Sequence, residues 1–165
     1  MKELWLKILP TLRDKEAFAQ LFVRAAVGVM FMGGAIKNKL SNLDKFTDFF
    51  HELGIPAAAI QAPMVAILEL VCGILLIIGL GTRFAAAALA GTMVVAIGTA
   101  ATSAKHGTLK YSVEKAFDAS FIDGVLNFIY MPEFLLFAIL VWFVFAGPGR
   151  FSVDHGIARQ HNLEK

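Results

Sequence analysis

Long apolar runs separated by short polar segments dominate the hydrophobic pattern of this chain. Four of the runs are long enough for a helix that crosses a bilayer, whose hydrocarbon core needs about 20 apolar residues. They cover residues 17–36, 57–80, 84–104 and 128–147. None shows the strict alternation expected of a strand in a membrane barrel. The pattern therefore predicts an all-α integral membrane bundle of four transmembrane helices, and a single membrane domain over residues 1–165.

The predicted spans differ in length and in the way they are joined. Only Gly81, Thr82 and Arg83 separate the second span from the third, so these two spans must form an antiparallel hairpin. The fourth span is the weakest. Its uninterrupted apolar part, residues 134–147, is too short to cross a bilayer alone and must extend back through Glu133.

The third span is rich in small residues at three- and four-residue spacings. These residues are Ala86, Ala87, Ala90 and Gly91. Such a face either lets a neighbouring helix approach closely or reflects only the helix preference of alanine. The pattern by itself leaves both interpretations open.

Three polar segments outside the spans carry apolar residues at helical spacing, and each predicts a short amphipathic helix. They are residues 4–9 near the N-terminus, residues 42–53 and residues 113–121. In the second, Asn42 would cap the helix and Gly54 would end it. Each helix would either lie along the membrane surface or pack on the chain's own spans.

The composition agrees with a membrane protein and excludes several other classes. Hydrophobic residues make up 58% of the chain and charged residues 17%, which excludes disorder and leaves too little polar surface to cover a soluble core. The net charge is +2, and the basic residues are scattered between apolar runs, so a nucleic-acid partner is not expected. The single cysteine, Cys72, excludes an internal disulfide and a cysteine-based metal site within one chain.

The distribution of basic residues predicts the orientation in the membrane. Four spans place both termini on the same side, which then carries eight lysine and arginine residues against six on the other side. Because basic residues favour the cytoplasmic side, the termini are predicted to be cytoplasmic.

Ionisable residues inside the spans are the candidate functional groups, because a charge at the bilayer centre costs about 2.5–3.5 kcal/mol on insertion scales. Arg24 lies within the first span and Glu69 near the middle of the second. They could pair if these spans touch. Lys37 and Glu133 both lie toward the opposite face and form a second predicted pair. Together the four residues would line a polar pocket that binds the headgroup of a quinone or lipid, or relays a proton.

Structural interpretations of these charges stay open beside the functional one. An Arg24–Glu69 pair could serve only to fix which helices pack together. Glu133 directly follows Pro132, which suits the first turn of a helix, where a carboxylate favours the dipole. Lys37 could extend its ammonium to the membrane interface.

Other kinds of chemistry find little support in the sequence. All four histidines fall outside the predicted spans, so a buried haem held by two histidines is not expected. No serine–histidine–aspartate set and no paired metal-binding carboxylates are apparent. We therefore expect no metal site and no covalently bound cofactor, and a quinone is the one cofactor considered.

Several short motifs occur in a fixed order between about residues 18 and 155. They are Leu21-Phe22-Val23-Arg24 followed by Gly28, Gly33-Gly34-Ala35-Ile36-Lys37, Leu53-Gly54-Ile55-Pro56, Leu68-Glu69-Leu70-Val71-Cys72-Gly73, Gly79-Leu80-Gly81-Thr82-Arg83 and Gly147-Pro148-Gly149-Arg150-Phe151-Ser152-Val153-Asp154. The order and spacing of this set resemble the DoxX family of small bacterial membrane proteins. Glu133 matches the acidic residue that typically opens the last span of the family. The segment from His106 to Met131 is longer than the commonest family pattern.

The resemblance implies a four-helix protein of the bacterial inner membrane. Members of the family are commonly described as oxidoreductase-like, or as the membrane subunit of a quinone-linked oxidoreductase such as a thiosulfate:quinone oxidoreductase. On this basis we expect a subunit that binds a quinone and works with other membrane or redox subunits, or as a homo-oligomer. Two alternatives are a non-enzymatic scaffold subunit of a larger membrane complex and a carrier of small solutes or protons.

Overall fold

A computed structural model describes residues 2–102, 129 and 131–163, and every element in these ranges is helical. The elements are α1 (Lys2–Gly34), a π-helical turn (Ala35–Lys39), a 3-10 turn (Leu40–Asn42), α2 (Leu43–Glu52), α3 (Ala58–Ile78), α4 (Thr82–Thr102), α5 (Pro132–Ala146) and α6 (Val153–Leu163). The predicted surface helix at 113–121 lies outside the described residues. So do residues 103 and 104 of the third predicted span and residues 128 and 130 of the fourth.

The first helix is longer than predicted, because the N-terminal segment does not form a separate surface helix. It continues directly into the first span, so that α1 runs unbroken from Lys2 to Gly34. At Ala35 the backbone widens into the π-helical turn, then tightens into the 3-10 turn, and α2 follows. The predicted cap of α2 does not form, because the Asn42 side chain makes no capping hydrogen bond.

The second and third spans form the predicted hairpin. Gly79 ends α3 in the left-handed conformation, with a φ of 76° that glycine adopts without strain. The carboxylate of Asp154 then accepts hydrogen bonds from the backbone N–H groups of Gly81, at 2.9 Å, and Thr82, at 3.1 Å. A residue far along the chain therefore caps the start of α4.

Among the described residues, three helical stretches are long and apolar enough to cross a membrane: Lys15–Glu52, Ala58–Ile78 and Thr82–Thr99. The apolar helix α5 has 15 residues, or about 22 Å at 1.5 Å per residue, which is less than the roughly 30 Å of a hydrocarbon core. It nevertheless packs along α4 and buries Leu140 and Phe143 completely. The four-span count therefore stays a prediction.

Glycines make the closest approach between helices, and they lie on α1 and α3. A Cβ atom added to Gly73 would come within 2.9 Å of the Gly28 carbonyl oxygen and of the Met32 backbone nitrogen. The two backbones are thus in direct contact, as small residues allow between membrane helices. On α4, by contrast, Ala87 and Gly91 are exposed.

The outer surface of the bundle is apolar, as a lipid environment requires. Large hydrophobic side chains lie exposed along several helices, for example Phe22 on α1, Phe84 on α4 and Phe145 on α5. In water such continuous apolar surface would drive association. The apolar side of helix α2 is covered instead of exposed, because Phe50 packs against Ala58 and Ala62 at the start of α3. Helix α2 therefore packs on the chain's own helix α3, and its position relative to the membrane surface stays a prediction.

Candidate functional site

Glu69 is buried in the middle of α3 and forms an ion pair with Lys39. The Lys39 ammonium donates a hydrogen bond to Oε1 of Glu69 at 2.5 Å. Among the described residues, this contact is the salt bridge that the structure contains. The same ammonium lies 5.0 Å from the centre of the Phe46 ring, within the range of a cation–π interaction. Lys39 is therefore held between a carboxylate and an aromatic face.

The π-helical turn places Lys39 at this position. Its first residue, Ala35, is completely buried, and Lys39 is its last. Single π-helical turns inside longer helices are frequent at functional sites, because they shift the direction of the residues that follow. Lys37, two residues earlier, is exposed.

The predicted pair between Arg24 and Glu69 is wrong. The Arg24 guanidinium is 1% exposed, and it donates hydrogen bonds to the carbonyl oxygens of Pro148 and, at 2.6 Å, Phe151. The register of the helices explains this. Because Gly28 contacts Gly73 in the antiparallel pair, Arg24 lies level with the end of α3, about 12 Å along the axis from Glu69.

Arg24 belongs to a clasp that holds the segment Gly147–Asp154 against the rest of the bundle. The Gln20 side-chain amide donates to the Gly147 carbonyl oxygen at 2.9 Å, beside the two Arg24 hydrogen bonds. The Asp154 N–H donates to the Gly79 carbonyl oxygen at 3.1 Å. Together with the Asp154 cap on α4, these bonds join α1, the α3–α4 turn and the segment after α5.

A cavity of about 490 Å³ opens beside the Lys39–Glu69 pair, between α2, α3, α4 and the start of α5. Its walls are mainly apolar and aromatic. The lining residues include Phe46, Phe49, Phe50, Leu53, Ile55, Val65, Ala88, Met93, Val95 and Ala96, with Gln61, Thr92 and Thr99 as polar neighbours. A largely apolar cavity of this size with a few convergent polar groups is typical of a small-molecule site.

Glu133 lies in the first turn of α5 and also lines this cavity. It follows Pro132 at the start of the helix, where the helix dipole favours a carboxylate. Its Oε2 atom is buried and has no hydrogen-bond partner among the described residues. Because an unsatisfied buried polar atom is costly, a ligand in the cavity that hydrogen-bonds to Oε2 would be favoured.

The predicted pair between Lys37 and Glu133 does not form. Glu133 faces the cavity, whereas Lys37 is exposed and does not line it. Of the four predicted site residues, the structure brings Glu69 and Glu133 together and leaves Arg24 and Lys37 elsewhere. Lys39 was missed, because nothing in the apolar pattern reveals a π-helical turn between Lys37 and Lys39.

The arrangement can bind a ligand by hydrogen bonds and apolar contact. Lys39 supplies a cationic donor, and the two glutamates supply acceptors, or donors when protonated. Cys72 is buried in the main core and is not among the cavity's lining residues. Over the described ranges, no group of three histidine, cysteine, aspartate or glutamate residues is placed to hold a metal ion.

Comparison with known proteins identifies the family. The sequence model of the DoxX family matches residues 19–102, about half of the chain. The chain belongs to the DoxX family. The matched part of this DoxX protein contains both partners of the Lys39–Glu69 pair, whereas Glu133 lies beyond it.

One relative of this DoxX protein is the uncharacterized membrane protein Rv3486 of Mycobacterium tuberculosis. The two sequences are 27% identical over 143 residues, which cover 84% of this chain and 80% of the relative. No solved structure matches the chain. The family and the apolar helices establish a membrane protein and therefore a lipid bilayer as its environment.

Proposed function

We propose that this DoxX protein is the membrane subunit of a quinone-linked oxidoreductase assembly and binds a quinone headgroup in the cavity beside Lys39 and Glu69. One observation carries the proposal. The cavity is apolar and aromatic, lies between membrane helices, and gathers one cation and two carboxyl groups along its walls. A quinone needs such a slot together with donors for its carbonyl oxygens.

The residues present fit a quinone. A volume of about 490 Å³ lies within the usual range for small-molecule sites, roughly 300–1,000 Å³. The Lys39 ammonium would donate to one carbonyl oxygen, and the Phe46 and Phe49 rings would pack against the quinone ring. A bound quinone would accept electrons that a partner subunit supplies.

Each polar residue has a distinct role in this proposal. Glu69 positions Lys39, since their ion pair fixes the ammonium at the cavity wall. Glu133 would offer Oε2, the buried atom that lacks a partner among the described residues, as a hydrogen-bond acceptor for a hydroxyl of the reduced headgroup. The phenylalanines of α2 would exclude water and so strengthen the hydrogen bonds to the headgroup.

The proposal includes the setting of the protein. We place it in the bacterial inner membrane with cytoplasmic termini, and with partner subunits that carry the electron donor. A flavin, metal or thiol of such a partner would be the electron source. The scaffold alternative differs in one respect that can be measured, because it requires no ligand in the cavity.

The experiment compares two neighbouring lysines. Binding of a short-chain quinone to the purified protein in lipid nanodiscs would be titrated for the wild type, for Lys39→Met and for Lys37→Met. A hydrogen bond to a charged group contributes about 1.5–3 kcal/mol, so Lys39→Met should weaken binding by about 10- to 100-fold. Lys37→Met removes an exposed lysine of the same turn and should leave binding unchanged.

Two results would contradict the proposal. One is the absence of saturable quinone binding to the folded wild-type protein. The other is an equal affinity of both variants, which would place any bound quinone away from Lys39. Circular dichroism and elution as a single species would first establish that Lys39→Met is folded.

A further inference from the structure

A second, smaller cavity lies at the end of the bundle where α3 turns into α4. Its volume is about 230 Å³, and its lining residues are Ala17, Arg150, Phe151, His155 and Arg159. Two of the five are arginines and one is a histidine, and none carries a carboxylate. The cavity is separate from the proposed quinone site and shares no lining residue with it.

The local fold brings the basic side chains together. Residues 155 and 159 are four positions apart on α6, so they lie on one face of that helix. Arg150 reaches the same cavity from the segment before α6. The nearest acidic residue on this element, Asp154, directs its carboxylate to the N–H groups of Gly81 and Thr82 instead. Its charge is therefore engaged at the start of α4.

The hydrogen bonds of the clasp fix this cavity in place. The Arg24 guanidinium donates to the carbonyl oxygen of Phe151, which is one of the lining residues. The Ser152 hydroxyl accepts from the His155 N–H at 3.1 Å and donates to the Gly149 carbonyl oxygen at 2.7 Å, which caps the start of α6. A rigid scaffold of this kind favours a defined site over a diffuse basic surface.

Exposed apolar side chains surround this basic cavity, as expected at a boundary between lipid and water. Next to Ala17, the α1 side chains Phe18 and Phe22 are exposed by 65% and 69%. Around the basic residues, Phe151 and Ile157 are also exposed apolar side chains. Large exposed aromatic residues beside arginines are typical of a membrane interface, where basic pockets bind anionic headgroups.

We infer that this cavity binds the phosphate group of an anionic phospholipid, with the lipid chains lying along the exposed face of α1 at Phe18 and Phe22. Arg159 contacts the phosphate oxygens, His155 adds a donor, and Arg150 adds positive charge to the cavity wall. A free phosphate ion carries the same oxygens, but it has no lipid chains to contact the exposed face of α1 at Phe18 and Phe22. The inference does not depend on the quinone proposal, because it concerns another site.

The test measures thermal stabilisation of the detergent-solubilised full chain by added lipid. Phosphatidylglycerol should raise the midpoint of unfolding, and phosphatidylcholine should raise it less. In Arg159→Gln the phosphatidylglycerol concentration for half-maximal stabilisation should rise about fivefold, the effect of one basic group near an anionic headgroup. Lys15→Gln removes an exposed lysine at the same end of the bundle and should behave as the wild type. Arg159→Lys keeps the charge and should retain most of the effect.

Three results would overturn the inference. Equal stabilisation by the two lipids would exclude a site for anionic headgroups. An equal loss in Arg159→Gln and Lys15→Gln would indicate general electrostatic attraction. Stabilisation by millimolar inorganic phosphate in place of the lipid would identify a free-phosphate site. If Arg159→Gln fails to fold, Lys15→Gln still tests the inference, because general attraction predicts a weaker lipid effect in that variant, whereas a site at Arg159 predicts none.

Discussion

Replacing Gly73 by alanine should separate α1 from α3, because the added methyl group has no room. A Cβ atom there would lie 2.9 Å from the Gly28 carbonyl oxygen and 2.9 Å from the Met32 nitrogen, well inside van der Waals contact. Both are backbone atoms of α1, which cannot turn aside as a flexible side chain can. The whole helix must therefore move.

The magnitude follows from two opposing contributions. Overpacking a well-filled interior costs about 1–3 kcal/mol. Alanine is a better helix former than glycine by about 1 kcal/mol, a gain that any Gly→Ala change inside a helix shares. Gly91 is a matched control, since it lies within α4 and a Cβ atom added there meets nothing within 4 Å. The difference between the two variants isolates the cost of the clash.

The assay is thermal or denaturant-induced unfolding in a fixed detergent. Gly73→Ala should be less stable than Gly91→Ala by about 1–3 kcal/mol. It should also bind quinone more weakly, because Gly73 lies one turn from Glu69 and the displacement of α1 carries Lys39 away from its partner. Equal stability of the two variants would refute the close contact between α1 and α3 and the helix register derived from it.

Two further predictions concern the clasp. Arg24→Met removes the donor to the Pro148 and Phe151 carbonyl oxygens. It should lower the free energy of unfolding by about 2–6 kcal/mol, since each of the two orphaned polar groups costs about 1–3 kcal/mol. The folded fraction of this variant should keep the wild-type affinity for quinone in the nanodisc titration. A loss of affinity without a loss of stability would show that Arg24 takes part in quinone binding. Asp154→Ala removes the cap of α4 and should cost about 0.5–2 kcal/mol in the same unfolding assay. Unchanged stability would show that this cap contributes nothing.

The apolar pattern predicts most of the helices, because burial in lipid demands continuous hydrophobic runs. The second predicted span, 57–80, corresponds to α3 (Ala58–Ile78), and the third, 84–104, to α4 (Thr82–Thr102). Helix α2 also lies where its apolar spacing places it. The merging of the N-terminal segment into α1 was missed, since a change in hydropathy does not require a break in the backbone.

The partners of the charged residues could not be derived in the same way. Hydropathy locates a helix in the membrane but does not fix its axial register against a neighbour. That register depends on the contact between Gly28 and Gly73, and it separates Arg24 from Glu69. The π-helical turn likewise leaves Lys37 exposed and brings Lys39 to the cavity, a local change that a regular helical repeat does not contain.

The most direct test of the central claim is the quinone content of the protein itself. The chain and its Lys39→Met and Lys37→Met variants would be extracted gently from native membranes and weighed intact, with bound molecules released and identified by mass spectrometry. Our account predicts about one quinone per chain in the wild type and in Lys37→Met, and a marked loss in Lys39→Met. Bulk lipid alone in the wild type, or the same quinone content in all three proteins, would contradict it.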